Sequence, residues 1–218
     1  MRDFTEIVVV LDKSSSMYAI VDATISSFNE FVDDQSRIGD NANLSLYTFN
    51  EEVGKVFVNK PIKEVEKLDN KSYSPSGWTA MNDAIGIAID ELGEKLSKMS
   101  ESDKPNKVVF VIITDGEENK SKIFSTAQIR EKIKHQKEKY NWQFLFLGAN
   151  IDAVKTGDVY AIPANACLNF THDAAGTSRG MSANSKALWG YRKGVATQCV
   201  YQEENQNEDS DSKLSQTT

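Results

Sequence analysis

The sequence predicts an α/β protein: a doubly wound, mainly parallel central sheet with one antiparallel edge strand and helices on both faces. Three observations lead there. The runs Ile7-Val8-Val9-Val10-Leu11 and Val108-Val109-Phe110-Val111-Ile112-Ile113 are continuously apolar, the pattern of strands covered on both faces of a parallel sheet. Longer stretches with apolar residues at helical spacing alternate with such runs. Two short apolar runs, 44–49 and 53–58, are separated only by Asn50-Glu51-Glu52, so they form a hairpin whose outer member lies antiparallel at an edge.

Taken in order, the first strand breaks at Ser14-Ser15-Ser16, and a helix follows with Val21, Thr24, Ile25, Phe28, Phe31 and Val32 on one stripe. After the hairpin, a second helix starts near Ala80, buries Ala84, Ile85, Ala88, Ile89, Leu92 and Leu96, and closes before Pro105. The strand over 108–113 stops at Thr114-Asp115-Gly116. Residues 123–139 read as a helix with Ile129 and Ile133 inward and lysines outward. A strand over 142–147, a short helix over 152–159, a weak strand over 167–170 and a last helix within 175–200 complete a domain expected to span 1–201. Residues 202–218 are polar and acidic with no apolar period, and are expected to be a disordered tail.

Of the 218 residues, 39% are hydrophobic and 26% charged, enough apolar material for one core of this size. No apolar run approaches the ~18–20 residues of a membrane-spanning helix. The start, Met1-Arg2-Asp3-Phe4-Thr5-Glu6, is too acidic for a secretory signal, so a cytoplasmic protein is expected. Cys167 and Cys199 are too few for a disulfide framework or a thiolate zinc site. The net charge is -7, and the five acids of residues 203–218 against Lys213 account for -4 of it. The rest is near neutral, and the lysines between 120 and 139 are interleaved with glutamates, so no basic face for nucleic acid is expected.

In doubly wound sheets, ligands bind at the carboxyl ends of the strands, where strand order reverses. Three polar segments should meet there if the first and fourth strands are neighbours: Asp12-Lys13-Ser14-Ser15-Ser16, Ser76-Gly77-Trp78-Thr79 and Thr114-Asp115-Gly116. They offer carboxylates and hydroxyls only, which suit magnesium or manganese rather than zinc or copper. Neutral hydroxyls from Ser14, Ser16 and Thr79, organised by Asp12 and Asp115, leave the ion much of its charge, and an Asp or Glu of a partner protein is a natural further ligand.

These residues carry a resemblance. Ile7 to Met17, Gly77-Trp78-Thr79-Ala80 and Ile112-Ile113-Thr114-Asp115-Gly116 resemble the von Willebrand factor A domain family, whose metal-ion-dependent adhesion site reads Asp-x-Ser-x-Ser with a distant Thr and a distant Asp. By position, Asp12, Ser14, Ser16, Thr79 and Asp115 match that site in full. The resemblance covers about residues 4–198. It implies a Rossmann-like fold, Mg2+ (or Mn2+) at the five residues, and a protein-interaction role, as in adhesion receptors and in intracellular members that serve multiprotein or AAA-type ATPase assemblies. Ser15 and Trp78 depart from the commonest wording, in which glycines are frequent, without removing a ligand.

Asp-x-Ser-x-Ser alone could be an ordinary helix N-cap turn; its place after a buried strand, with the Thr and the Thr-Asp-Gly ending, makes it a site. Two other readings compete. A metal-dependent hydrolase or phosphoryl-transfer enzyme could use the same residues, but position 14 is Ser where a second carboxylate is expected, no phosphate-binding glycine loop or nucleophile elbow exists, and no histidine is assigned beside Ser14 or Ser16. A metal-free structural subunit is the other. Glu117, Glu118 and Asn119 could contact a partner or tune the field at the metal but are expected to be exposed loop polars, Asp152 a helix cap, His135 a surface residue, and His172 a turn residue that would reach the rim only if the sixth strand ends there. Trp142, Trp189 and Tyr191 are expected in the core or on helix faces.

Overall fold

The computed structural model describes residues 2–39 and 41–202. Its elements are β1 (Arg2–Asp12), α1 (Val21–Ile38), β2 (Ala42–Phe49), β3 (Val53–Pro61), α2 (Met81–Ser97), β4 (Pro105–Thr114), α3 (Thr126–Tyr140), β5 (Gln143–Ala149), α4 (Ala153–Val159), β6 (Cys167–Phe170) and α5 (Ala174–Arg192). The six strands form one sheet in the order β3-β2-β1-β4-β5-β6, all parallel except β3, which pairs antiparallel with β2 at the edge. This is the doubly wound order, and strand order reverses between β1 and β4.

The continuous apolar runs are explained by their place. Every residue from Ile7 to Leu11 is at most 1% exposed, because both faces of β1 are covered. On the helical layers, α1 packs against α5, and α2 packs beside α3 and against β1 and β2. Edge strand β3 is only half-buried and carries Lys55 and Lys60, a guard against edge pairing with another chain. Among the described residues no helix is long and apolar enough to cross a membrane.

Boundaries differ from the expected ones for identifiable reasons. A 3-10 stretch, Ser15–Ile20, leads into α1, which then runs on to Ile38. Helix α3 begins at Thr126 rather than 123, because the amides of Lys122, Ile123 and Phe124 bond to the Asp83 carboxylate and Ser125 with Gln128 forms a capping box. Helix α5 ends at Arg192. Gly194 takes φ 71, its amide bonds to Tyr191 O, and the Val195 amide bonds to Gly190 O, a glycine stop that periodicity did not reveal. The chain then returns to the core, where Cys199 and Tyr201 are buried and the Tyr201 hydroxyl donates to Asn184 Oδ1 at 2.6 Å. Cys167 and Cys199 are both buried free thiols. As expected, Trp142 and Tyr191 are core residues and Trp189 lies half-exposed on a face of α5. The acidic tail lies, from residue 203 on, outside the described residues.

Candidate metal centre at the β1–β4 rim

The site starts from strand register. Leu11 of β1 is paired with Ile113 of β4, so the next residues, Asp12 and Thr114, stand side by side. Thr114 Oγ1 donates to Asp12 Oδ2 at 2.6 Å, and the Ser14 amide donates to Asp12 Oδ1 at 2.7 Å. Tyr73, fully buried, donates its hydroxyl to the Asp12 carbonyl at 2.6 Å. Asp12 is therefore locked in place, and burial, outweighing these hydrogen bonds, lifts its carboxyl to a pKa of about 6, with the nearby Asp115 charge adding to the rise.

Beyond Asp12 the chain turns, and Ser14 caps nothing with its side chain. Its hydroxyl instead lies 3.1 Å from Ser16 Oγ, and Ser16 Oγ donates to Asp115 Oδ1 at 2.6 Å. The ordinary N-cap reading of this turn is thereby excluded for Ser14. Positive φ at described non-glycine residues occurs at Asn59, Asn141, Asn150 and Ala161, so Ser15 sits in an ordinary turn that needs no glycine.

Thr79 reaches the rim from the loop before α2. That loop is tied to the serine turn by the Ser15 amide on Gly77 O (3.1 Å) and the Ser76 amide on Lys13 O (2.9 Å), and Gly77 supplies the φ of 77 that the bend requires. Thr79 is buried beside the Asp115–Gly116 turn: a Cβ on Gly116 would lie 3.7 Å from Thr79 Oγ1. The five expected residues thus converge, four of them through one hydrogen-bonded chain and Thr79 by the approach of its loop.

Two expectations need refinement. Glu117 and Asn119 are exposed loop polars as expected and Glu118 is half-buried, but Glu118 and Asn119 also brace the site. Asn119 Oδ1 accepts the Thr79 amide at 3.0 Å and Thr79 O accepts the Asn119 amide at 3.0 Å. Glu118 accepts from the amides of Asn82, Lys120 and Ser121 and from the Ser121 hydroxyl, so it satisfies one amide in the first turn of α2, whose N-cap Ala80 has no capping group. Nothing in the local pattern of Glu117-Glu118-Asn119 separates a brace from a solvated loop. Asp152, in contrast, caps α4 as expected, accepting from the Lys155 amide.

The second concerns His172, expected as a turn residue that would reach the rim only if the sixth strand ended there. Its Nε2 lies 2.8 Å from Asp115 Oδ2, with the His172 side chain 18% and the Asp115 side chain 0% exposed. The contact is not directed as a hydrogen bond, and both atoms are buried with no hydrogen-bond partner. The sequence signal was present but faint: β6 ends two residues earlier, at Phe170, on the same rim.

The donor set fits a hard divalent cation. Two oxygens flanking one Mg2+ at ~2.1 Å and a right angle lie ~3 Å apart, which is the Ser14–Ser16 separation of 3.1 Å. Asp115 Oδ2 is a buried carboxylate oxygen without a hydrogen-bond donor. Among the described residues no group of three or more His, Cys, Asp or Glu side chains is placed to hold a metal; here carboxylate is sparse and hydroxyl supplies the remainder. Tyr18, two residues past Ser16, and Trp78, just before Thr79, are 73% and 57% exposed, and Lys120 Nζ sits 5.7 Å from the Trp78 ring centroid.

The model of the von Willebrand factor type A domain matches residues 6–175, which is most of the chain and all five expected site residues. The chain belongs to the von Willebrand factor type A family. Among solved structures, this domain is similar to the mussel byssus proximal thread matrix protein 1 with a zinc-occupied metal-ion-dependent adhesion motif (TM-score 0.58, 19% identity, 85% of this chain and 46% of that one). It is also similar to the von Willebrand factor type A protein of Catenulispora acidiphila (0.54, 16%, 86% and 43%) and to the manganese-loaded TRAP protein of Plasmodium vivax (0.50, 18%, 67% and 57%). At these identities the likeness is one of fold. The chain spans about half the length of these proteins. No curated protein sequence matches it.

Proposed function

We propose that this von Willebrand factor type A domain is a non-catalytic interaction module that holds Mg2+ or Mn2+ at Asp12, Ser14, Ser16, Thr79 and Asp115 and uses it to capture an Asp or Glu side chain of a partner protein. The observation that carries the reading is the Asp12–Ser14–Ser16–Asp115 constellation, in which two hydroxyls at metal-ligand spacing stand between two buried carboxylates. A cation bound there supplies a concentrated positive charge at an open rim. The protein's own residues do the rest. Asp12, fixed by Thr114, Ser14 and Tyr73, orients the serine turn. Neutral hydroxyls withdraw little of the charge offered to an incoming carboxylate. Exposed Tyr18 and Trp78 border the rim and give a partner apolar surface next to its acid. Free buried thiols fit a reducing, intracellular setting.

A serine-nucleophile hydrolase is disfavoured by the order of groups. A triad needs imidazole between nucleophile and carboxylate, whereas here the Asp115 carboxylate stands between Ser16 and His172. Two proteins of similar fold carry a metal, zinc in the adhesion motif of the mussel protein and manganese in the Plasmodium one.

Thermal melting with saturating Mg2+ or Mn2+ tests the metal. At 100 times Kd the folded state gains about 2.7 kcal/mol, and the shift should vanish with chelator and in Asp12→Ala. Capture of cell proteins with and without chelator tests the partner. Retention of the same proteins by Ser14→Ala/Ser16→Ala in chelator would mean that another surface binds. Hydrolysis of a generic phosphate ester lost in Asp12→Ala would replace this reading with an enzymatic one.

A further inference from the structure

We infer that His172 is a nitrogen ligand of the same rim site, giving this domain a stronger preference for borderline cations, Zn2+ above all, than its oxygen set alone would have. The inference rests on the metal-binding reading above and goes beyond its five oxygen-bearing residues.

The geometry of two atoms carries it. His172 Nε2 and Asp115 Oδ2 are 2.8 Å apart, yet the contact is not aligned as a hydrogen bond, and both atoms are buried without any other partner. Leaving a carboxylate oxygen and an imidazole nitrogen in this condition is costly. Two donors that hold one ion at ~2.0–2.2 Å and subtend roughly a right angle are separated by ~3 Å and point at the shared ion instead of at each other. The observed pair has that separation and is joined by no aligned hydrogen bond. The other oxygen of the same carboxylate, Asp115 Oδ1, accepts from Ser16, so Asp115 links the imidazole to the hydroxyl half of the site.

His172 is also held there by its neighbours. Asp173 caps α5, accepting from the Gly176 amide at 2.7 Å, and Thr177 Oγ1 donates to Asp173 O at 2.8 Å. Gly176 lets residue 171 approach α5 so closely that a Cβ there would fall 2.1 Å from Thr171 O. The His172 backbone is thus pinned between β6 and the first turn of α5. Ligation requires the neutral ring with its proton on Nδ1. Imidazole binds zinc well and adds little for magnesium or manganese, which keep oxygen and water.

The test is titration of Mg2+, Mn2+ and Zn2+ against the whole chain, read by calorimetry and by melting, in wild type, His172→Ala, His172→Gln and Ser14→Ala/Ser16→Ala, with His135→Gln as the control for surface histidine. Glutamine can still hydrogen-bond to Asp115 but offers no ring nitrogen. The expected result is a loss of at least tenfold in Zn2+ affinity in both His172 variants, Mg2+ affinity within about threefold of wild type, and no change in His135→Gln. Unchanged zinc-to-magnesium ratios in the His172 variants overturn the inference and leave the proposed function standing. An equal loss of all three metals also overturns it, because His172 would then act by positioning Asp115. Failure of wild type to bind any of the three, or unaltered binding in the double serine variant, sinks the metal reading itself and the inference with it.

Discussion

Asp12 concentrates the electrostatic tension of the site in one side chain. Its folded pKa, about 6, lies above the ordinary carboxylate value of 3.8, with burial as the leading cause. The folded metal-free protein therefore holds this proton more tightly than the unfolded chain does. Stability from this group is fully present below pH ~4 and is lost as pH rises through 6, by on the order of 3 kcal/mol over the full shift. A cation reverses the slope, since it binds the ionised carboxylate. Two measurements check this. The pH 4–7 slope of urea-unfolding free energy without metal should flatten in Asp12→Asn, and the Mg2+-induced rise in Tm should be larger at pH 7.5 than at pH 5. An equal Mg2+ shift at both values would mean that Asp12 is not at the ion.

At the scale of elements, helix starts decide where the rim residues stand. Helix α2 lacks a capping residue of its own, and Glu118 stands in from across the site loop. Glu118→Ala removes acceptors from three amides and a hydroxyl, so a loss of roughly 2–3 kcal/mol in urea unfolding is expected, together with weaker Mg2+ binding as the Thr79 loop loosens. A stability loss with unaltered metal affinity would show that the loop is held by Asn119 alone. Helix α5 has its own cap, and Asp173→Ala should cost about 1 kcal/mol. Gly176→Ala is more severe: the added methyl meets the Thr171 backbone, and a loss of about 1–3 kcal/mol is expected from overpacking. Equal stability of Gly176→Ala and wild type in the same urea titration would refute the close approach.

The whole molecule works as a rigid sheet that presents three loops to one point. Central strands β1, β4 and β5 are buried on both faces, whereas β3 is a half-exposed edge. Amide hydrogen exchange should therefore be slowest over residues 7–11, 109–113 and 144–148 and fast in β3. Added Mg2+ should slow exchange together at residues 13–17, 77–81 and 115–120, segments far apart in sequence and joined only at the rim. Slowing confined to one of them would place the ion elsewhere.

The strands were legible because burial on both faces writes an unbroken apolar run, and a run of five or six apolar, mostly β-branched residues has few other readings. The Asp-x-Ser-x-Ser turn, Thr79 and Asp115 were legible because their spacing follows from where such strands end. Helix limits were less so. The start of α3 depends on Asp83, about 40 residues away, and the stop of α5 on one glycine whose φ the sequence does not display. His172 was the residue most thoroughly hidden. A lone histidine in a polar turn carries no period and no motif, and its significance comes from β6 lying on the same sheet as β4 and from the tight passage past Gly176 that delivers its ring to Asp115. Sequence determined the pleated scaffold and the oxygen donors, since both are written in local pattern. Tertiary structure alone decided which distant groups brace those donors and which nitrogen stands beside them, because such contacts depend on the three-dimensional path of the chain and leave no periodic trace along it.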